Sequence, residues 1–257
     1  MLIENYPKPE LILMGAGPGD PELITLKAYR VLQEAAVILY DHLANKAILD
    51  LASAACEKIY VGKLPYGAYT PQEEIHTLIR EKAFTKGKVV RLKGGDPFIF
   101  GRGFEEILFA REQGISCSYI PGITSMQAAG LLDIPLTHRD ISDSVWILSG
   151  TKKDGSLTGD LKLAMKSKAT VVIYMGMKKI KEIAAAYRDE GYEAMPAAII
   201  QHASLPGQKV ARGVAGDLAD MVNTHQLTHP SVIIIGKVVG VAVSNKLQAT
   251  STSGYVQ

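Results

Sequence analysis

Short, mostly apolar runs alternate with helical spacing through the first half of the chain. Residues 11–14, 36–40, 58–61, 89–92 and 118–120 read as strands, and the stretches between them are long enough for crossover helices. That alternation is the pattern of βαβ units and a mostly parallel sheet. Between the first two strands, Leu23, Leu26, Tyr29 and Leu32 recur every third residue, which predicts one helical face laid against the sheet. Pro21 suits the first turn of that helix, with Asp20 before it as the N-cap.

A second unit is expected after residues 121–144, where PGITS and IPLTHRD interrupt the periodicity with turn residues. Strands are predicted at 145–149, 170–175, 197–201, 209–213 and 232–235, and a helix over 178–190 closed by Gly191 as its C′ residue. The expected organisation is an N-terminal α/β domain over 1–120, a linker over 121–143 acting as a hinge, and a C-terminal α/β domain over 144–244. A frayed tail is expected over 245–257, which is rich in small and hydroxyl residues. Neither an internal repeat nor a coiled-coil heptad is present.

Composition narrows the class. A chain of 257 residues with 47% hydrophobic and 21% charged residues is globular, and long enough to bury a substantial core. Its formal net charge of +2 gives no global field to attract nucleic acid or a membrane, so any anion site is a local gathering of bases. Two cysteines, Cys56 and Cys117, show neither metal-ligand nor disulfide-framework spacing, which points to a reducing, cytoplasmic setting and no metal. The opening MLIENYPKPE lacks the apolar run of an export signal. The longest apolar tract, residues 231–243, is broken by Lys237 and falls short of the roughly 18 to 20 residues a spanning helix needs.

Candidate chemistry concentrates in VRLKGGDPFIFGRG, residues 90–103, where a strand runs into a glycine pair, an aspartate and a proline. Gly94 and Gly95 allow positive φ and close approach to a ligand, Asp96 offers acceptors, and Pro97 fixes the turn. Arg91, Lys93 and Arg102 gather there as candidates to face an anion. The earlier GAGPGDP, residues 15–21, also follows a strand, yet its glycines at 15, 17 and 19 do not fit a dinucleotide fingerprint. Asp20 would repel a pyrophosphate, so a ligand without phosphate fits better.

Taken in order, GAGPGDP, YDHL, VGK and RLKGGDPFIFGRG, followed by PGITS, IPLTHRD, VIYMGM and PSVIIIGKVV, resemble the tetrapyrrole methylase family over about residues 10–240. The likeness is greatest to its uroporphyrinogen-III C-methyltransferase members, whose long GGDPFIFGRG loop is characteristic. The resemblance implies two α/β domains with S-adenosylmethionine in the cleft between them. It places Pro18, Gly94, Gly95, Asp96, Ile99, Thr124, Ser125, Met175 and Ala203 at that cofactor. It marks Asp41 as proton acceptor and Lys63 as proton donor, in methylation of uroporphyrinogen III at C2 and C7 to precorrin-2. The substrate's eight carboxylates would be met by Arg91, Lys93, Arg102 and Arg139, with Lys152, Lys153 and His138 as further candidates. A homodimer is implied as well, with the product leading to sirohaem or cobalamin.

Two departures bear on these expectations. Ser149, Gly150 and Thr151 stand where the family often has TGH, and Met126, Gln127 and Leu131 are unusual after PGITS. Both fall on substrate contacts rather than on cofactor residues. No dehydrogenase and ferrochelatase domain is appended, so the chain is expected to stop at methylation. Two alternatives share the motifs: a methyltransferase for a later corrinoid such as precorrin-4, and a non-catalytic module that binds cofactor or tetrapyrrole.

Overall fold

The computed structural model describes residues 8–62 and 70–241. Lys63, the first seven residues and the expected tail over 245–257 lie outside the described residues. The chain divides into two compact units, the first ending at Ser125 and the second beginning at Met126.

The first unit is a five-stranded sheet in the order β3-β2-β4-β1-β5. Its strands are β1 (Glu10–Gly15), β2 (Val37–Tyr40), β3 (Glu57–Tyr60), β4 (Lys88–Lys93) and β5 (Ser116–Ile120). Every pairing is parallel, so all five carboxyl ends lie along one edge. The helices are α1 (Leu26–Glu34), α2 (Lys46–Leu49), α3 (Gln72–Lys86) and α4 (Gly103–Glu112). Ala28 and Leu32 of α1 and Ile48 and Leu49 of α2 pack with Ile12, Met14, Ile38, Val90 and Leu92 on one face. Ile75, Ile79 and Ala83 of α3 and Ala110 of α4 pack with Leu11, Val37, Leu39 and Val89 on the other. Central strands covered on both faces are buried at successive residues, which is why they read as continuous apolar runs.

The first helix differs from its expected register. Pro21–Leu23 forms a separate 3-10 turn, capped by Asp20 Oδ1 accepting from the Glu22 amide at 2.9 Å. The α-helix proper starts later, with Thr25 as N-cap accepting from the Ala28 amide at 3.2 Å. Leu26 is 75% exposed and Tyr29 is also exposed, while Ala28 and Leu32 are buried. A step of three residues falls about 60° short of a full helical turn, so an every-third pattern rotates half-way round the helix by its fourth member.

The second unit holds a five-stranded mixed sheet in the order β6-β7-β10-β8-β9. Its strands are β6 (Val145–Ser149), β7 (Thr170–Tyr174), β8 (Pro196–Gln201), β9 (Lys209–Val214) and β10 (Ser231–Ile235). Only β6 and β7 run parallel; β10 pairs antiparallel with β7 and β8, as does β8 with β9. Three helices, α5 (Asp160–Lys166), α6 (Ile180–Asp189) and α7 (Leu218–Thr224), cover one face. A short 3-10 turn over Met177–Lys179 precedes α6, and Gly191 follows it at φ 78°. Much of the segment expected to be a hinge covers the other face. A 3-10 helix over Ser125–Leu132 leads into it, and Ala128, Ala129 and Ile134 pack against Val172, Ala198, Ile200, Val232 and Ile234. Its apolar residues have a sheet to bury against, which turn residues alone do not reveal.

The core on the α6 face contains one polar anomaly. The Tyr187 side chain is buried and its hydroxyl has no hydrogen-bond partner among the described residues. Burial pushes this phenol well above its ordinary pKa, so it stays neutral. An unpaired buried hydroxyl costs about 1 to 3 kcal/mol. Tyr187→Phe is therefore expected to raise unfolding free energy by about 1 kcal/mol in chemical denaturation; a loss of stability would show that the hydroxyl is satisfied.

Candidate active site

Parallel pairing sets the loops after β2, β4, β1 and β5 side by side along one edge of the first sheet. The loops after β1 and β4 are joined through their backbones: the Gly95 amide donates to the Gly17 carbonyl at 2.7 Å and the Gly17 amide to the Gly95 carbonyl at 3.2 Å. Gly17 and Gly95 sit at φ 74° and 64°, the left-handed region where glycine is favoured. Gly122, after β5, closes the group: a Cβ there would lie 2.1 Å from the Gly95 oxygen and 2.8 Å from the Gly15 Cα. Three loops therefore meet through main chain, with no side chain between them at these glycines.

Gly94 is needed for a different reason than its neighbour. It does not sit at positive φ, and a Cβ on it would come within 2.5 Å of the Leu43 Cβ. Leu43 belongs to the loop after β2 that carries Asp41, so this glycine packs the aspartate loop onto the glycine platform. Asp96 shapes the platform from inside. Its Oδ1 accepts from the Phe98 amide at 2.8 Å, while Oδ2 accepts from the Tyr119 hydroxyl at 2.5 Å and the Gly122 amide at 3.1 Å. Burial and the adjacent carboxylate push the Tyr119 hydroxyl well above its usual pKa, keeping it a donor. Asp96 thus has its carboxylate turned to the protein's own loops. Pro18 and Ile99 are half-buried, and Thr124 is buried with Ser125 beside it, next to Gly95.

Asp41 follows β2 and is partly exposed. Its Oδ1 accepts from the Leu43 amide at 3.0 Å, and its Oδ2 lies 3.3 Å from a terminal nitrogen of Arg91. Here the structure corrects an expectation: Arg91 and Lys93 do not face a free anion. Arg91 is 2% exposed and Lys93 is 8% exposed, and both pair with the buried Glu106 of α4. Central-strand residues lie under helices on both faces, so a base there is taken up by a carboxylate of the covering helix. Burial, reinforced by Arg91, pushes the Lys93 ammonium below the usual lysine pKa, against the pull of Glu106.

Arg102 remains at the surface, on the left-handed residue that opens α4, with its guanidinium forked onto Glu105. Around it Phe98, Phe100 and Phe104 are exposed, and with Pro97 and Gly103 they line a groove of about 330 Å³. Phe98 stacks on Tyr119 at 4.1 Å between centroids. Sequence reasoning missed Tyr119, Gly122 and Glu106. Glu106 had one signal: an arginine in the middle of an apolar central strand requires a carboxylate partner.

The second unit supplies its own set. Met175 follows β7 at φ 54° and is half exposed; its carbonyl accepts from the Thr151 hydroxyl at 2.9 Å. Ser149 donates to the Thr151 carbonyl at 2.8 Å, and Gly150 lies so close to Gly176 that a Cβ would meet its Cα at 2.6 Å. Ser149-Gly150-Thr151 thus ties the ends of β6 and β7 together. Ala203, after β8, is buried. Arg139, Lys152, Lys153 and His138 are exposed, with the His138 ring 2.7 Å from the Arg139 carbonyl.

Comparison with known proteins adds an independent line. Residues 10–219 match the family model of the Tetrapyrrole (Corrin/Porphyrin) Methylases. The chain is 42% identical over 232 residues to the siroheme synthase of Chromobacterium violaceum, covering 90% of this chain and 49% of that protein. It therefore spans about half the length of the curated relatives it matches. Among solved structures, the uroporphyrin-III C-methyl transferase of Thermus thermophilus, complexed with S-adenyl homocysteine, is 39% identical at a TM-score of 0.79. That match covers 90% of this chain and 99% of the other. A cobalt precorrin-4 methyltransferase is 26% identical at a TM-score of 0.79, covering 90% and 95%.

Proposed function

This chain belongs to the tetrapyrrole (corrin/porphyrin) methylase family, and from that premise we propose that it transfers methyl groups from S-adenosylmethionine to C2 and C7 of uroporphyrinogen III, giving precorrin-2. The observation that carries the reading is the alignment of Asp41 with the glycine platform on one sheet edge. It occurs in a chain resembling a uroporphyrin-III C-methyl transferase along nearly that protein's whole length.

The platform fits the cofactor. Packed peptide groups at Gly15 and Gly122 admit close approach where any side chain would collide, while Gly17 and Gly95 hold the positive φ that turns their loops. When bound, S-adenosylmethionine supplies an electrophilic methyl on a sulfonium. Pro18, Gly94, Gly95, Ile99, Thr124, Ser125, Met175 and Ala203 would hold it, with Asp96 shaping the loop. The substrate's electron-rich pyrrole carbon takes the methyl, and the resulting cationic macrocycle must lose a proton. Asp41, whose carboxylate is held by the Leu43 amide and Arg91, is the base we assign to accept it. Lys63 is assigned the return of a proton.

Arg102 and Arg139 are assigned to the substrate carboxylates, with Lys152 and Lys153 in support. The aromatic groove beside Arg102 offers an apolar rim to the macrocycle. We read the protein as a cytoplasmic homodimer without nucleic-acid, membrane or metal partners. Free cysteines Cys56 and Cys117 accord with a reducing setting, and among the described residues no helix is long and apolar enough to cross a membrane.

Anaerobic incubation with uroporphyrinogen III and S-adenosylmethionine should yield a dimethylated product. Its absence, with turnover of precorrin-4 instead, would favour a later corrinoid; cofactor binding with no transfer to either would leave a binding module. Because exposed charges are screened, the KM for uroporphyrinogen is expected to rise as ionic strength goes from about 0.01 to about 0.15 M, which shortens the screening length from roughly 30 to 8 Å. A salt-independent KM would remove the charged exposed residues from substrate binding.

A further inference from the structure

We propose that Glu106 is a positioning residue for the Asp41 carboxylate, acting through Arg91; this rests on the reading of Asp41 as the proton acceptor. Glu106 is fully buried in α4. Its Oε1 accepts from Lys93 Nζ at 3.2 Å and from Arg91 Nε at 3.4 Å, with Gln72 Nε2 also at 3.4 Å. Its Oε2 lies 3.3 Å from Arg91 Nε as an ion-pair contact but takes no hydrogen bond of its own among the described residues.

An acid in the first turn of a helix is usually a solvated partner of the helix dipole, and Glu105 beside it is of that kind. Glu106 instead points inward to bases of the neighbouring strand. A buried charge of this sort costs several kcal/mol unless it is paired, and Glu106 is paired with both bases.

Its positioning role follows from how Arg91 is held. Glu106 takes the Nε side. One terminal nitrogen donates to the Leu92 carbonyl at 2.9 Å and the Leu39 carbonyl at 3.4 Å. The other terminal nitrogen is directed to Asp41 Oδ2 at 3.3 Å. A planar guanidinium anchored at two corners has no freedom left at the third. Asp41 is fixed in turn, with Oδ1 on the Leu43 amide and Oδ2 on Arg91. The four groups are two acids and two bases, Asp41 and Glu106 against Arg91 and Lys93, so the cluster is neutral in its fully ionised form. Removing the Glu106 charge leaves Arg91 and Lys93 with Asp41 as their sole acid in the cluster. It also releases the corner of Arg91 that sets the angle at Asp41.

A double-mutant cycle between Glu106→Gln and Asp41→Asn tests this, read in single turnovers with uroporphyrinogen III and S-adenosylmethionine. Glu106→Gln is expected to lower the methyl-transfer rate roughly tenfold to a hundredfold, the scale of a displaced catalytic group. Cofactor affinity should stay within about twofold. In the Asp41→Asn background the same change should have less than about a twofold effect, because the group it positions is gone. An equal slowing in both backgrounds overturns the proposal, as does a loss of cofactor binding with the rate unchanged. If Asp41→Asn alone leaves the rate intact, the reading of Asp41 fails, whatever Glu106 does. Should Glu106→Gln not fold, Arg91→Lys serves in the same cycle: it keeps a cation beside Glu106 but cannot span three partners. There too, additivity with Asp41→Asn overturns the proposal.

Discussion

Asp41→Asn is expected to lower turnover of uroporphyrinogen III by about 10² to 10⁴-fold, the range for loss of a general base. Asparagine keeps the shape of the side chain and an oxygen for the Leu43 amide or Arg91, so the loop after β2 should hold its place. S-adenosylmethionine affinity, measured by calorimetry, is expected to change less than about twofold, since the glycine platform makes no hydrogen bond to this carboxylate. Unchanged turnover would remove Asp41 from the chemistry. A fall in turnover accompanied by an equal fall in cofactor affinity would recast it as a binding residue.

Gly122→Ala is expected to do the reverse, abolishing cofactor binding by breaking the platform. The new methyl would sit 2.1 Å from the Gly95 oxygen and 2.9 Å from the Gly15 carbonyl carbon, all backbone of adjacent loops. No rotamer relieves such contacts, so the loops after β1, β4 and β5 must part. The cost is about 3 kcal/mol or more, at the upper end for overpacking. Gly130→Ala provides the control: among the described residues nothing lies within 4 Å of a Cβ there, and its stability should stay within about 0.5 kcal/mol of the parent. Equal melting of the two variants and the parent would show that the three loops are not locked together.

The strands were legible for a physical reason. Residues of β1, β4, β7, β8 and β10 are buried on both sheet faces, and such strands leave dense apolar runs between turn residues. The surface of α1 was not legible, because a three-residue repeat drifts round a helix and cannot say which of its members meets the sheet. The glycine loops announced themselves, yet spacing alone did not show that Gly122 joins Gly15 and Gly95, since that contact is formed by the sheet order β4-β1-β5. Arg91 and Lys93 were misplaced for a related reason. Near a motif rich in glycine they look like an anion site, and the acid that neutralises them lies on a helix 15 and 13 residues further along. Long-range charge pairing leaves no periodic trace.

The main-chain character of the platform also constrains how such a protein can diverge. A surface built from peptide groups has the same chemistry whatever the neighbouring side chains are; a Cβ at Gly15 or Gly122 would meet backbone, and one at Gly95 would be strained by its positive φ. Mutational drift is thereby turned away from the proposed methyl-donor site and toward what projects beyond it, such as Phe98 and Phe100 and Arg102. On the proposed reading, a lineage carrying this platform can explore new acceptor molecules by changing rim residues while the platform stands still.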